Sequence, residues 1–345
     1  MVAKKTASKK SRSSKKASGR TKSGETGSAA ARPSNTTGTS STPASKKPVP
    51  KPPPFGEFLA AIREDPFEEG NLHAPLRELL LEGASEFEDT IGKYNVVIFY
   101  DEGRLLRTDA DKLYRSVSRF RSSKPMLLVL HSPGGEIEPA FLMSKLCREH
   151  AKGAFEVAVP RRAKSAATLL ACGADRIHMG SLSELGPIDP QIDGLPVLAL
   201  KSALEHIARM SKEVPGAADM LATYLSKVLK LEQLGYYERV AESAVQYAER
   251  LLKARSNSVQ REARDIAHDL VYKYKDHGFV IDAREGGEVF GKNTIVAESV
   301  EYKLSDHLYE KLSVVEYVLG RVVKRDMYYI GSLDQGIHTY PRRKK

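Results

Sequence analysis

The strongest chemical signal in this sequence is a serine among small residues. Ser165 follows Lys164 and precedes Ala166 at a predicted strand-to-helix junction, and the pair Gly134-Gly135 ends an earlier strand. A serine hydroxyl is a potential nucleophile, and backbone N–H groups exposed by glycine can stabilise an oxyanion. Together the two segments have the groups that acyl transfer needs first.

Each segment also has a plainer interpretation. The segment Ser132-Pro133-Gly134-Gly135 follows a buried-strand pattern, and glycine permits the positive φ that turns an N–H toward a pocket, although the same residues also suit an ordinary turn. Ser165 at a helix N-terminus lies at the positive end of the helix dipole, which favours an alkoxide. Serine is also a common N-cap residue, so the plainer interpretation is that Ser165 only caps the helix. The N–H of Ala166 is expected to point at the same oxyanion as that of Gly134.

The elements around these residues alternate between strands and helices. Apolar runs predict buried strands, and 3.6-residue periodicity predicts helices between them. This alternation indicates an α/β layer of parallel strands. The predicted strands are 95–100, 126–130, 155–159 and 176–179, and the predicted helices are 109–120, 139–150 and 165–174.

Six segments divide the chain in this interpretation. The catalytic core is predicted at 93–200, between an N-terminal helical segment and a long helical insert. A short strand at 279–281 and a helix at 306–322 belong to the part that completes the domain. The remaining segments are a disordered basic tail at 1–54, the helical segment at 55–92, the insert at 201–275, the completing part at 276–330 and a second basic tail at 331–345.

The positive charge is concentrated in the tails. Residues 1–54 contain thirteen Lys or Arg and one Glu, a local charge of +12, and the last four residues add +4. The formal net charge of +10 therefore leaves −6 for the body of the chain, which argues against a basic nucleic-acid-binding face on the folded part. The tail at 1–54 is predicted to make at most weak contacts with nucleic acid or an acidic partner.

Cysteine content and hydropathy favour a cytoplasmic protein. The two cysteines, Cys147 and Cys172, fall in predicted helices and are too few for a disulfide framework or a metal cluster. There is no apolar run of membrane-spanning length and no secretory leader pattern, so we expect no membrane association. No cofactor or metal is predicted.

The two chemical segments also resemble a known family. The motifs that match are 131–136, 163–168, 173–180 and 183–191, with a weaker match at 277–281. Across residues 94–200 the chain resembles the serine dehydrogenase proteinase family, relatives of signal peptide peptidase A with the ClpP/crotonase-like fold. The resemblance implies an α/β, ClpP/crotonase-like core, with Ser165 as nucleophile and the N–H groups of Gly134 and Ala166 as the oxyanion hole.

The motifs do not identify the residue that acts as the general base. In the Clp-type pattern a histidine follows the serine by about 25 residues, but Pro190 stands there and its segment holds no histidine. Lys164, Lys201 and His277 are the candidates, and Asp189 is expected to orient a base or order its loop. A lysine base would need burial to lower its pKa.

The expected function is that of a cytoplasmic serine endopeptidase. It would hydrolyse peptide or protein substrates through a Ser165 acyl-enzyme and assemble as a homo-oligomer. A crotonase-fold acyl-CoA enzyme and a non-catalytic oligomeric scaffold with a nucleic-acid-binding tail are the alternatives. Arg161 and Arg162 are expected either to answer acidic groups at a subunit contact or to hold a substrate carboxylate.

Overall fold

A computed structural model describes most of the chain after its first 52 residues. The described residues are 53–65, 69–120, 123–192, 195–228, 231–256, 261–324 and 326–342. Almost the whole predicted tail at 1–54 therefore lies outside the described residues. The strands are β1 (Asn95–Tyr100), β2 (Met126–His131), β3 (Phe155–Val159), β4 (Arg162–Ala163), β5 (Arg176–Met179), β6 (Glu184–Leu185), β7 (Gln191–Ile192), β8 (Leu195–Pro196), β9 (Ile295–Ala297), β10 (Met327–Ser332) and β11 (Gly336–Pro341).

Helices separate most of these strands. Short 3₁₀ turns at Ala84–Phe87 and Pro215–Ala217 connect some of them. The helices are α1 (Pro54–Glu64), α2 (Glu69–Leu81), α3 (Glu88–Lys93), α4 (Arg107–Val117), α5 (Ile137–His150), α6 (Ala166–Ala171), α7 (Val197–Glu213), α8 (Ala218–Val228), α9 (Leu231–Lys253), α10 (Ala263–Tyr272), α11 (Ala283–Phe290) and α12 (Val300–Val323).

The central sheet has seven strands in the order β11-β10-β1-β2-β3-β5-β9. β1, β2, β3, β5 and β9 run parallel, whereas β10 is antiparallel to β1 and β11 is antiparallel to β10. Because the neighbouring strands are parallel, the chain leaves them at one edge of the sheet, where the loops that follow β2 and β3 lie side by side.

Each face of the sheet covers its own core. Val97 and Phe99 of β1 pack into the core formed with α4, α5, α6, α9, α10 and α11, whereas Val96 and Ile98 pack against α1, α2 and α12. Burial on both faces explains why these strands are continuous apolar runs rather than alternating ones. The predicted α/β class is confirmed.

The C-terminal end departs from the sequence prediction. Residues 331–345 were expected to be a basic tail, but β10 and β11 form a hairpin that continues the sheet as far as Pro341. β10 pairs with β1, and Tyr329 and Ile330 are fully buried. The four consecutive basic residues after Pro341 are typical of a tail, and composition alone therefore did not predict the strand that precedes them.

Two further findings concern cysteines and membranes. Cys147 and Cys172 are buried free thiols, and burial raises the pKa of each to about 12, so both stay protonated. None of the described helices is both long and apolar enough to span a bilayer.

A buried carboxylate holds the start of β5 in place. The guanidinium of Arg148 donates to both oxygens of Asp175 at 2.7 and 2.8 Å, and the N–H groups of Phe155 and Ser256 donate to the same carboxylate. Burial alone would raise the pKa of Asp175, but these hydrogen bonds outweigh it and hold the pKa below its ordinary value. One side chain thus joins α5, β3, β5 and the end of α9.

We expect Asp175→Asn to lower the free energy of unfolding at pH 7 by about 3 kcal/mol, because it leaves the largely buried guanidinium of Arg148 without its charge partner. A depressed carboxyl pKa stabilises the fold above the unfolded pKa of about 3.9, and this stabilisation is lost as pH falls through the folded pKa. Urea unfolding at pH 7 and below pH 4 should show the gap between variant and wild type closing in acid.

Glu149→Gln is the matched control, since Glu149 pairs with Lys145 on an exposed helix face. This change should cost less than about 0.5 kcal/mol. Equal losses in the two variants would contradict a structural role for Asp175.

Candidate active site

The loops after β2 and β3 meet at the carboxyl edge of the sheet. The N–H of Ser132 donates to the carbonyl of Arg162 at 2.9 Å, and the N–H of Lys164 donates to the carbonyl of Ser132 at 3.0 Å. These two hydrogen bonds extend the sheet pairing past the strand ends. They fix the glycine turn relative to the turn that carries Ser165.

Ser165 has a strained backbone. Its φ of 52° and ψ of −120° lie outside the regions that L-residues ordinarily adopt, and it directly precedes α6. Such strain persists where the surroundings over-determine it, and a serine on a sharp strand-to-helix turn presents its hydroxyl outward. Its side chain makes no capping hydrogen bond to α6, so the helix-cap interpretation does not explain this serine.

Gly134 lies directly against this serine. A Cβ placed on Gly134 would come within 2.6 Å of the carbonyl oxygen of Lys164, 2.8 Å of the Cβ of Ser165 and 3.0 Å of the N of Ala166. With φ at +97°, Gly134 also has a conformation that favours glycine. The structure therefore brings together three of the predicted site residues, Ser165, Gly134 and Ala166.

The two predicted oxyanion donors differ in their present partners. The N–H of Gly134 donates to Ser132 Oγ at 3.1 Å, a contact that the sequence interpretation missed. Ala166 is the first residue of α6, where a backbone N–H has no intrahelical acceptor. An oxyanion beside Ser165 could thus accept from the N–H of Ala166 and would compete with the hydroxyl of Ser132 for that of Gly134.

Asp189 has a histidine partner. His277 Nδ1 lies 2.7 Å from Asp189 Oδ1, and the carboxylate is almost fully buried whereas the imidazole is about one-third exposed. The hydrogen bond to Asp189 raises the pKa of His277 above its ordinary value. This contact assigns the shared proton to Nδ1 and leaves Nε2 as the nitrogen that can accept a proton.

Lys164 connects this pair to the serine turn. Its Nζ donates to the carbonyls of Gly278 and Phe279 at 3.2 and 3.0 Å and lies 2.9 Å from Glu184 Oε2. Because Gly278 follows His277 and Lys164 precedes Ser165, the histidine segment is attached to the serine turn. Lys201, the other lysine candidate, belongs to α7, and its side chain lies outside the described part of the chain.

Both arginines before the site have acidic partners in the same chain. Arg161 pairs with Asp306 of α12, and Arg162 pairs with Glu102. The other oxygen of Glu102 lies 2.7 Å from Nε2 of the buried His131, whose pKa falls to about 4 mainly through burial. These partners are far apart in sequence, so no local signal could have revealed them.

Among the described residues, no cluster of three or more His, Cys, Asp or Glu side chains is arranged to hold a metal ion. The groups gathered at this edge are a hydroxyl, an imidazole–carboxylate pair, backbone N–H donors and an ammonium. These are the groups of nucleophilic acyl chemistry.

The strained serine, the glycine turn beside it and the parallel sheet define the class of this protein as a ClpP-like serine proteinase. A family model described as ClpP-like SDH-type serine proteinase matches residues 91–281, which is more than half of the chain. The chain belongs to this family, as the resemblance of its motifs predicted.

Individual relatives match over shorter stretches. The uncharacterised protein MJ0137 of Methanocaldococcus jannaschii is 29% identical over 119 residues, which cover 34% of this chain and 40% of that protein. A second uncharacterised protein of that organism, MJ1495, is 28% identical over 130 residues, which cover 38% of this chain and 43% of its own length. The matched regions thus span less than half the length of these relatives.

Two solved structures match part of this chain at low identity and with low TM-scores. The membrane-bound stomatin-specific protease 1510-N has 14% identity and a TM-score of 0.39, over 62% of this chain and 84% of that chain. ClpP1 from Listeria monocytogenes has 15% identity and a TM-score of 0.31, over 63% of this chain and 99% of that chain. Cytoplasmic location, self-association and nucleic-acid contact stay predictions for this chain.

We expect Gly134→Ala to destabilise the protein more than Gly153→Ala does. Both glycines have φ near +95°, at 97° and 95°, but a Cβ at Gly153 would have no atom within 4 Å. Gly153→Ala should therefore cost only the backbone strain, about 1 kcal/mol, whereas Gly134→Ala should cost about 2 kcal/mol more because its contacts are mainly with backbone atoms.

The midpoints of urea unfolding for the two variants and the wild type measure this difference. Equal midpoints for Gly134→Ala and Gly153→Ala would show that the glycine turn does not pack against Ser165 as described.

Proposed function

We propose that this protein is a serine endopeptidase in which Ser165 is the nucleophile and His277, oriented by Asp189, is the general base. The single observation that carries the proposal is the strained Ser165 packed against Gly134, since a serine that neither caps its helix nor relaxes its backbone requires a reason other than folding. Family membership supports the peptidase chemistry.

The first half-reaction forms an acyl-enzyme. Ser165 Oγ attacks the carbonyl carbon of the scissile peptide as His277 Nε2 accepts the hydroxyl proton. The tetrahedral oxyanion accepts hydrogen bonds from Ala166 N–H and from Gly134 N–H, which exchanges Ser132 Oγ for the substrate oxygen. The C–N bond then breaks, the imidazolium returns the proton to the leaving amine, and the acyl group stays on Oγ as an ester.

Water completes the cycle. His277 Nε2 takes one proton from a water molecule as its oxygen attacks the ester, and it returns that proton to Ser165 Oγ when the acid product leaves. Asp189 keeps its charge throughout and holds the proton on Nδ1, so that Nε2 presents its lone pair. The buried carboxylate of Asp189 and the partly exposed imidazole of His277 suit these separate roles.

No observation favours the two alternatives over this proposal. A crotonase-type acyl-CoA enzyme needs oxyanion donors but no strained serine at the start of α6. A non-catalytic scaffold would need no imidazole–carboxylate pair, so the contact between His277 and Asp189 argues against it.

We expect Ser165→Ala to abolish both peptide hydrolysis and reaction with a fluorophosphonate probe. Hydrolysis is measured on a peptide library by mass spectrometry, and the adduct is measured as one added mass on the intact chain. Ser181→Ala is the control, because this exposed hydroxyl donates to Glu298 and has a proposed role neither in binding nor in the reaction. Turnover or an adduct that survives in Ser165→Ala would disprove the assignment of the nucleophile.

The rate at which the probe labels Ser165 should rise with pH, because a general base acts in its neutral form. The pKa of His277 is raised by Asp189, so we expect the midpoint to lie above 6.5. Asp189→Asn should move the midpoint to lower pH and reduce the rate above it by about 10²- to 10⁴-fold, since orientation of the imidazole is lost.

His277→Gln should remove this midpoint altogether. The free energy of unfolding should change with pH in the opposite direction. A raised pKa of His277 stabilises the fold most below pH 6.5, and this stabilisation is lost as pH rises through the pKa of His277 in the folded protein. A labelling rate with the wild-type pH dependence in His277→Gln would exclude His277 as the base.

A further inference from the structure

The ammonium of Lys164 has a complete set of acceptors. Its three N–H donors face three oxygen atoms, the carbonyls of Gly278 and Phe279 and the carboxylate of Glu184, at 3.2, 3.0 and 2.9 Å. The side chain is mostly buried, with 15% of its surface exposed. These three acceptors match the three N–H donors of an ammonium group, so together they fix the position of Nζ.

The backbone of the same residue is fixed on the opposite side. Its N–H donates to the carbonyl of Ser132, and its carbonyl accepts the N–H of Ala167 at the start of α6. One residue therefore contacts the glycine turn and α6 through its main chain, and the segment after His277 through its side chain. Elsewhere that segment is fixed by paired hydrogen bonds between Ile281 and Leu185.

Gly186 provides the space for this side chain. A Cβ at Gly186 would lie 2.6 Å from Cδ of Lys164, and the N–H of Gly186 donates to Thr168 Oγ1 within the same layer. The extended lysine therefore passes over a residue without a side chain. Any larger residue at 186 would displace it.

We propose that Lys164 is a positioning residue that holds His277 at the distance from Ser165 that proton transfer requires, through its hydrogen bonds to the two carbonyls that follow the histidine. The inference rests on the proposed function, because it assigns a role to Lys164 in that same site. In this role Lys164 acts through the backbone of residues 278 and 279 rather than on the reacting atoms. This assignment also removes Lys164 from the list of candidate bases.

The test compares rates of fluorophosphonate labelling of Ser165 in the full chain. Lys164→Met keeps the length of the side chain and removes every donor, and we expect it to slow labelling about 10- to 100-fold, as misplacement of a catalytic group does. Lys164→Arg should recover most of the rate, because a guanidinium can donate to both carbonyls but cannot act as a base. Gly186→Ala, which leaves the lysine in the chain and displaces it, should slow labelling in the same direction.

A double-mutant cycle with His277→Gln separates positioning from chemistry. If Lys164 acts through His277, adding Lys164→Met to His277→Gln should change the rate by less than about twofold. A further large loss in that background, together with an inactive Lys164→Arg, would identify Lys164 as the base and overturn the inference.

The pH profile separates positioning from a pure charge effect. The charged groups that act on His277 are Asp189 and Asp276, which raise its pKa, and Lys164, which lowers it. Loss of the charge alone would move the midpoint of the labelling profile to higher pH and leave the limiting rate at high pH, the upper rate, unchanged. This result would overturn the inference. Loss of positioning should lower the upper rate.

Failure of this inference differs from failure of the proposed function. If Lys164→Met and Gly186→Ala both label at the wild-type rate, the positioning role is wrong and Ser165 remains the nucleophile. If wild-type Ser165 is not labelled, the proposed function itself fails. Urea unfolding of each variant confirms that the labelled chains are folded, and Gly186→Ala supplies the test if Lys164→Met does not fold.

Discussion

The close approach of Gly134 to Ser165 is the constraint on which the rest of the site depends. A side chain on Gly134 would overlap the carbonyl of Lys164 and the Cβ of Ser165, so the two loops meet only because one residue has no Cβ. Ser165 in turn holds a backbone conformation that costs about 1–3 kcal/mol. The fold tolerates this cost because α6 is wholly buried on the sheet and hydrogen bonds between Ser132, Arg162 and Lys164 leave its preceding turn no alternative path.

The helical insert lies in the sequence between Asp189 and His277, but neither side chain of this pair belongs to the insert. Asp189 precedes α7, and His277 follows α10, yet the two side chains meet at 2.7 Å. The ends of the insert are closed by hydrogen bonds of Ile188 to Leu270 and of Leu185 to Ile281. α9 and α10 also pack into the main core, so this part of the insert belongs to the framework that brings the carboxylate and the imidazole together.

The sequence predicts those features of the fold and the site that short stretches of residues determine. The strands β1, β2, β3 and β5, Ser165 at a strand-to-helix turn and the glycine turn beside it follow from apolar runs, glycine and small residues within short windows. Contacts between distant residues leave no such trace. The pairing of β10 with β1 and the partners of His277, Arg161 and Arg162 depend on how the chain returns to the sheet, and periodicity carries no information about that return.

The charges around His277 act on stability and on catalysis in opposite directions. The bond to Asp189 is strongest when the imidazole is protonated, which is the form that cannot accept the proton of Ser165. A carboxylate alone would thus orient the imidazole but also raise its pKa, so that the neutral form predominates only at higher pH. Lys164 lowers the pKa of His277 and partly offsets this effect. A lysine before the nucleophile can therefore hold the histidine segment by hydrogen bonds while its charge keeps the pKa of the base nearer its ordinary value, and a neutral side chain of the same length would provide neither.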